Sequence, residues 1–273
     1  MFEHLYKPLP DTDKYLARLG LMRPIPINLE SLNTLIYAHL TTIPFENLDI
    51  YDLEADISLG IEDIYNKIVE QGRGGYCFEL NGLFMALLQS LGFECHPLAG
   101  RVLWLRDYYP PLGHRVTMVE MEGRRYYCDV GFGGPAPCSA LCLDDAGEQI
   151  SGGKTFRFDR SSGDTILSYR NWGGVLEPLL MFSEKPCNPV DFVLMNEYFS
   201  KNNKSSFRSK RIANLLTKDG SISIDGNIFR QYVEGDCIEI VLDTNEQTLK
   251  TLSEHFGIRI GYPLKRSAFR EPY

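Results

Sequence analysis

Apolar positions recur every three to four residues through the first third of the chain, then change to short alternating runs from about residue 93. Leu29, Leu32, Leu35, Ile36 and Leu40 share one helical face, with Asn28 as cap and Pro44 as stop. Before them, Pro10 and Asp11 open a helix that closes near Gly20. Ile61, Ile64, Tyr65 and Ile68 repeat the pattern, ended by Gly72; Cys77, Leu80, Phe84, Leu87, Leu88 and Leu91 form a further apolar face, ended by Gly92. The runs "AGRVLWL", "HRVTMVEM", "RRYYCDVGF", "KTFRF" and "TILSYR" are β-branched or aromatic and bounded by turn residues, as in a small antiparallel barrel or sandwich. Residues 190–200 return to a helical pattern, and the last stretch mixes strand-like "SISI", "NIFRQYV" and "CIEIVL" with a helix at "NEQTLKTLSEHFG". The expected fold class is α+β: a helical part over 1–92, an antiparallel β part over 93–200, and an α/β layer over 201–273. Helices followed by strands do not form the alternating units of a parallel sheet.

Composition narrows the partners. A chain of 273 residues with 44% hydrophobic residues can bury a sizeable core. A net charge of −8 weighs against nucleic acid, and no apolar run reaches the roughly 18 residues of a membrane span. The first residues lack the apolar core of a signal peptide, and seven irregularly spaced cysteines read as reduced thiols, so a cytoplasmic protein is expected.

One cysteine stands in an unusual setting. In "QGRGGYCFELNGLF", Cys77 follows Arg73, Gly74 and Gly75 and opens an apolar helix, whose N-terminus favours a thiolate. The glycines would let a substrate approach, and Arg73 would add positive charge. The other six cysteines read as small buried hydrophobes; Cys138 and Cys142 have no second ligand pair, so no metal is expected. A nucleophilic thiol needs a base and an orienting group. His114 opens a strand, and the next strand runs into Asp129. If Glu122 and Gly123 form a two-residue hairpin, Asp129 falls opposite Val116 and becomes a diagonal neighbour of His114. A three-residue loop would separate them, leaving His114 at a strand start and Asp129 in a turn. Beyond Asp129, Gly131, Gly133 and Gly134 form a loop able to offer N–H groups to a phosphate or oxyanion, or simply a strand-ending turn.

"RGGYCFELNGLF", "HRVTMVE" and "DVGFGG", in that order and with spacings of 37 and 15 residues between Cys77, His114 and Asp129, resemble the arylamine N-acetyltransferases. "IPFENLDI" at 43–50 resembles that family's N-terminal signature. The likeness covers roughly the first half of the chain. It implies a helical bundle, a β-barrel and an α/β lid around a transglutaminase- or papain-like Cys-His-Asp core. It also implies ping-pong acetyl transfer from acetyl-CoA, through Cys77, to an arylamine, arylhydrazine or N-hydroxyarylamine. By position, His114 would be the base, Asp129 its orienting group, and Phe45, Val102 and Phe132 the acceptor pocket. Gly131, Gly133 and Gly134 would approach the coenzyme A pyrophosphate. The chain has no obvious long insertion of the vertebrate enzymes between its barrel strands, so it resembles a bacterial-type member; a monomer or homodimer is expected. Gly134 stands where some relatives carry Arg or Ser, which bears on acceptor choice. A cysteine hydrolase, a transglutaminase-like enzyme or a non-catalytic binding protein could be built on the same three residues.

Overall fold

The computed structural model describes residues 1–161, 163–171, 173–261 and 264; the remainder of the stretch assigned to the third part lies outside the described residues. The first part holds α1 (Thr12–Arg18), α2 (Leu29–Thr42), the two-residue strand β1 (Phe45–Glu46), α3 (Leu48–Tyr51), α4 (Ile61–Tyr65) and α5 (Cys77–Ser90). Asp11 and Asn28 cap α1 and α2 by accepting from the N–H groups of Lys14 and Ser31. α5 is buried along nearly its whole length, and the first core cluster forms around it.

The second part contains β2 (Glu94–Val102), β3 (His114–Met121), β4 (Arg124–Cys128), β5 (Leu141–Cys142), β6 (Gln149–Ser151), β7 (Lys154–Ser161), β8 (Asp164–Arg170) and β9 (Leu176–Phe182). They form one antiparallel sheet in the order β5-β4-β3-β2-β9-β8-β7-β6, a nearly closed barrel. The Gln149 side chain brings the two edges together: it accepts from the Cys142 N–H and donates to the Cys142 carbonyl. β9 does not stand out in the sequence because Pro178 interrupts its run. The sheet accommodates that proline where the β8–β9 register shifts between Leu167 and Ser168.

β3 carries the logic of the site. Val116 and Met118 face the barrel interior, whereas Val119 and Met121 face α5. The turn to β4 is the expected two-residue hairpin, with Glu122 and Gly123 at φ 54° and 73° and Met121 opposite Arg124. β4 is shorter than the "RRYYCDVGF" run and stops at Cys128, so Asp129 begins the loop.

α6 (Phe192–Lys201) ends the second stretch, and α7 (Ser206–Ser209) precedes β10 (Ile212–Thr217), β11 (Gly220–Asp225), β12 (Ile228–Val233), β13 (Asp236–Val241) and α8 (Asn245–Phe256) in the last. The sheet order β1-β10-β11-β12-β13 takes its first strand from the N-terminal part. Phe45 pairs with Asn214 and also bridges to Gly75, so "IPFEN" ties the third sheet to the loop before Cys77. Asn47 reinforces the joint by donating to the carbonyls of Phe207 and Lys210 and accepting from the Ile212 N–H. Among the described residues no helix is long and apolar enough to cross a membrane.

Candidate active site

Cys77 is the first residue of α5 and is buried. The chain enters from extended Tyr76, whose N–H donates to the Glu79 carboxylate at 3.1 Å. The preceding glycines serve packing rather than substrate access. A Cβ on Gly74 would lie 2.0 Å from the Pro44 carbonyl oxygen, and one on Gly75 would lie 2.9 Å from Glu79 Oε2. Arg73 likewise differs from expectation. Its guanidinium is bound by Glu46 at 2.7 Å and Asp49 at 2.7 Å, so its charge is already matched. Lys67 continues the network to Asp49 and Glu79. This cluster fastens the loop below the nucleophile.

His114 and Asp129 meet as the hairpin register requires: His114 Nε2 lies 2.7 Å from Asp129 Oδ2. Cys77 is the other group that acts on the His114 imidazole, favouring its charged form. The Cys77 Sγ lies 3.7 Å from the Gly113 carbonyl oxygen. Asp129 is saturated. Oδ2 also accepts from the Tyr127 hydroxyl at 2.9 Å, and Oδ1 accepts from Asn81 Nδ2 and the Gly131 N–H, each at 2.9 Å. Asn81, one turn after Cys77 on α5, further accepts from the Val130 N–H. It thereby locks the nucleophile helix to the loop that holds the carboxylate.

These contacts set the charges. Burial alone would lower the His114 pKa, but the Asp129 charge and hydrogen bond, with Cys77 on the other side, raise it to about 10. Burial works to raise Asp129, yet His114, Asn81 and the Gly131 N–H together hold it below the usual carboxylate range. An imidazolium at neutral pH, flanked by a carboxylate and a thiol, is the arrangement that activates a sulfur nucleophile.

The glycine loop is only partly the open nest expected. Gly131 gives its N–H to Asp129, and only Gly133 of the three has a positive φ, 69°. Each is glycine for a steric reason. A Cβ on Gly131 would lie 2.9 Å from Cys77 Cα; on Gly133 it would meet the Phe45 ring, and on Gly134 the Trp104 ring. Phe132 packs edge-on to His114 with ring centroids 5.5 Å apart and reaches Trp104 at 6.3 Å. Phe45 lies 6.2 Å from Phe207 between ring centroids, and Val102 joins Phe132 and Trp104 at the margin of the barrel core. Asn81, Tyr127, Trp104 and Phe207 were not singled out by sequence. Of these only Asn81 leaves a signal, as a polar residue four positions after Cys77 in an apolar run.

A second histidine shapes pH dependence. His39 is fully buried between the rings of Tyr15 and Phe84, with neither nitrogen hydrogen-bonded. Burial, aided by the Arg18 charge, lowers its pKa to about 3. The unfolded chain therefore takes up this proton first, and stability is lost as pH falls from about 6.5 towards 3. His114 has the opposite sign: its raised pKa stabilises fully below about 6.5 and the contribution fades as pH rises through about 10. Urea denaturation at pH 7 and pH 5 is expected to show His39→Leu losing about 2 kcal/mol less than wild type over that interval. Equal losses in the two proteins would rule out this origin.

The geometry agrees with comparisons to known proteins. A family model described as N-acetyltransferase matches residues 28–264. The arylamine N-acetyltransferase of Mycolicibacterium smegmatis is 34% identical over 257 residues, covering 92% of this chain and 93% of its own. The structure of the Salmonella typhimurium arylamine N-acetyltransferase superposes with a TM-score of 0.87 at 29% identity, covering 92% of each chain. That of the Mycobacterium marinum enzyme in complex with CoA gives 0.85 at 30% identity, covering 91% of this chain and 93% of the other.

Proposed function

Since the chain belongs to the arylamine N-acetyltransferase family, we propose that it moves acetyl from acetyl-CoA to an arylamine, arylhydrazine or N-hydroxyarylamine through a thioester on Cys77. The observation that carries this reading is the buried His114 imidazole, 2.7 Å from Asp129 through Nε2 and near enough to Cys77 for the sulfur to favour its charged form.

Cys77 acts as a thiolate paired to the His114 imidazolium and attacks the thioester carbonyl. The N–H groups of Cys77 and Phe78, the first two of α5, precede the helix's own hydrogen-bond ladder and can receive the developing oxyanion. Collapse breaks the bond to the CoA sulfur, which leaves with the His114 proton, and acetyl-Cys77 remains. The acceptor nitrogen then attacks the same carbonyl, His114 takes its proton, and the thiolate is released. Asp129 keeps the imidazole oriented throughout and stabilises the charged form that it takes before and after the acetyl-enzyme. An acetyl-thioester remains activated, which suits a weakly basic aromatic nitrogen. Phe45, Val102 and Phe132 form the acceptor side, and Gly133 and Gly134, with Gly131 behind them, form the side that receives the CoA pyrophosphate.

Initial rates measured over a matrix of acetyl-CoA and arylamine concentrations test the order of events. Parallel double-reciprocal lines, with CoA released before acceptor is added, are expected. Intersecting lines would contradict double displacement, and acceptor-independent acetate release at the full rate would indicate a hydrolase.

A further inference from the structure

Arg115 follows His114 on β3, and its side chain leaves from the opposite face, towards α5. It is 3% exposed, and its Nε has no hydrogen-bond partner. The other two buried arginines among the described residues are paired with carboxylates, Arg73 with Glu46 and Asp49, and Arg211 with Asp52. Arg115 has no ion pair there. Its neighbours are the Phe192 ring, 4.9 Å from the guanidinium carbon, and Met85 Sδ, 3.8 Å from Nη2. A Cβ on Gly82 would lie 2.9 Å from Nη1, so α5 carries a glycine in its interior where the guanidinium rests. Glycine is disfavoured within a helix, and an unpaired buried charge is more so. Two unfavourable choices at one contact call for a compensating gain.

We propose that Arg115 is a positioning charge for the reaction, stabilising the Cys77 thiolate from behind α5. This rests on the role given to Cys77 above. The titratable groups facing the guanidinium are Cys77 on α5, Cys95 on β2 and Cys187 beyond β9. α4 brings the Ile64 methyl to the same glycine, and Asp191 acts on Cys187. His114, on the other face of β3, is the cation already assigned to Cys77. Burial pushes the Cys95 thiol up to about 12 and raises Cys187, so neither supplies an anion at neutral pH. Burial lowers Arg115 only to about 10, so it remains a cation. Gly82 is five residues along the helix from Cys77, a rise of about 7.5 Å. The two positions also lie about 140° apart around the helix, so the charges are separated by about 12 Å, and through an interior of effective dielectric about 20 one charge then shifts an ionisation equilibrium about tenfold.

Arg115→Met keeps the unbranched apolar stem but removes the charge; Arg115→Lys keeps the charge; Arg115→Gln provides a second neutral variant. The rate of iodoacetamide modification of Cys77 at pH 6, located by peptide mass, is measured on full-length proteins with their melting temperatures checked. The neutral variants are expected to react about tenfold more slowly than wild type, Lys within about twofold, and the neutral variants to recover towards wild type as pH is raised. A neutral variant that folds and reacts as fast as wild type overturns the proposal, as does a Lys variant as slow as Met. Failure of the acetyl-transfer reading would show separately, as wild type that is alkylated rapidly yet gains no acetyl group from acetyl-CoA.

Discussion

Asp129→Asn is expected to slow acetylation of the enzyme by about 1,000- to 10,000-fold, the scale seen when an orienting carboxylate is neutralised without changing shape. The carboxylate accepts four hydrogen bonds, from His114, Tyr127, Asn81 and the Gly131 N–H. An amide cannot accept all four. Its NH2 must face one of these donors or force the imidazole into another tautomer. The substitution also removes the charge that raises His114, so the imidazolium loses its main support against burial. Rapid-quench measurement of a single turnover checks this, with CoA affinity expected to change little because Asp129 lies behind His114. A decrease smaller than tenfold would mean that Asp129 only holds the fold together.

The largest effect on stability is expected at Arg73. Its guanidinium occupies a buried cluster in which Glu46 is fully enclosed and also accepts from the Leu48 N–H. Arg73→Met strands the Glu46 carboxylate and weakens the hold on Asp49, and breaking such a pair costs about 3–5 kcal/mol. For a chain of this size the melting temperature should fall by roughly 6–20 °C. Arg73→Met with Glu46→Gln should recover part of the loss, since no buried charge is then left alone. A shift below about 2 °C in the single variant would mean that the cluster is solvated rather than closed. This change should reduce activity mainly through unfolding, because the cluster lies under the Cys77 loop rather than against the sulfur.

What the sequence disclosed divides along physical lines. Helix limits were readable because caps act over three residues: Asp11 and Asn28 sit where a short polar side chain precedes an apolar period. The approach of His114 to Asp129 was readable because one hairpin fixes it, and Glu122–Gly123 is a turn of known length. β9 was hidden by Pro178, and β1 by having two residues, too few to show any period. The role of Arg73 is not legible because its nearness in sequence to Cys77 masks its partner Glu46, 27 residues away. The Gly131 N–H was expected to be open, but Asp129, two residues earlier, turns back to accept it. Tyr127 could not be recognised as a donor to Asp129, since tyrosine is an ordinary strand residue. At Arg73, Gly131 and Tyr127 a side-chain partner decided the outcome, and the local pattern carries no trace of it.

The central claim is a covalent acetyl group on Cys77. Intact mass after brief mixing with acetyl-CoA, without acceptor, tests it in wild type and in Cys77→Ser. A gain of about 42 Da, one acetyl replacing one hydrogen, is expected in wild type alone, mapping to the Cys77 peptide and discharged by an arylamine. An unmodified wild type, or the same gain in Cys77→Ser, would contradict the account.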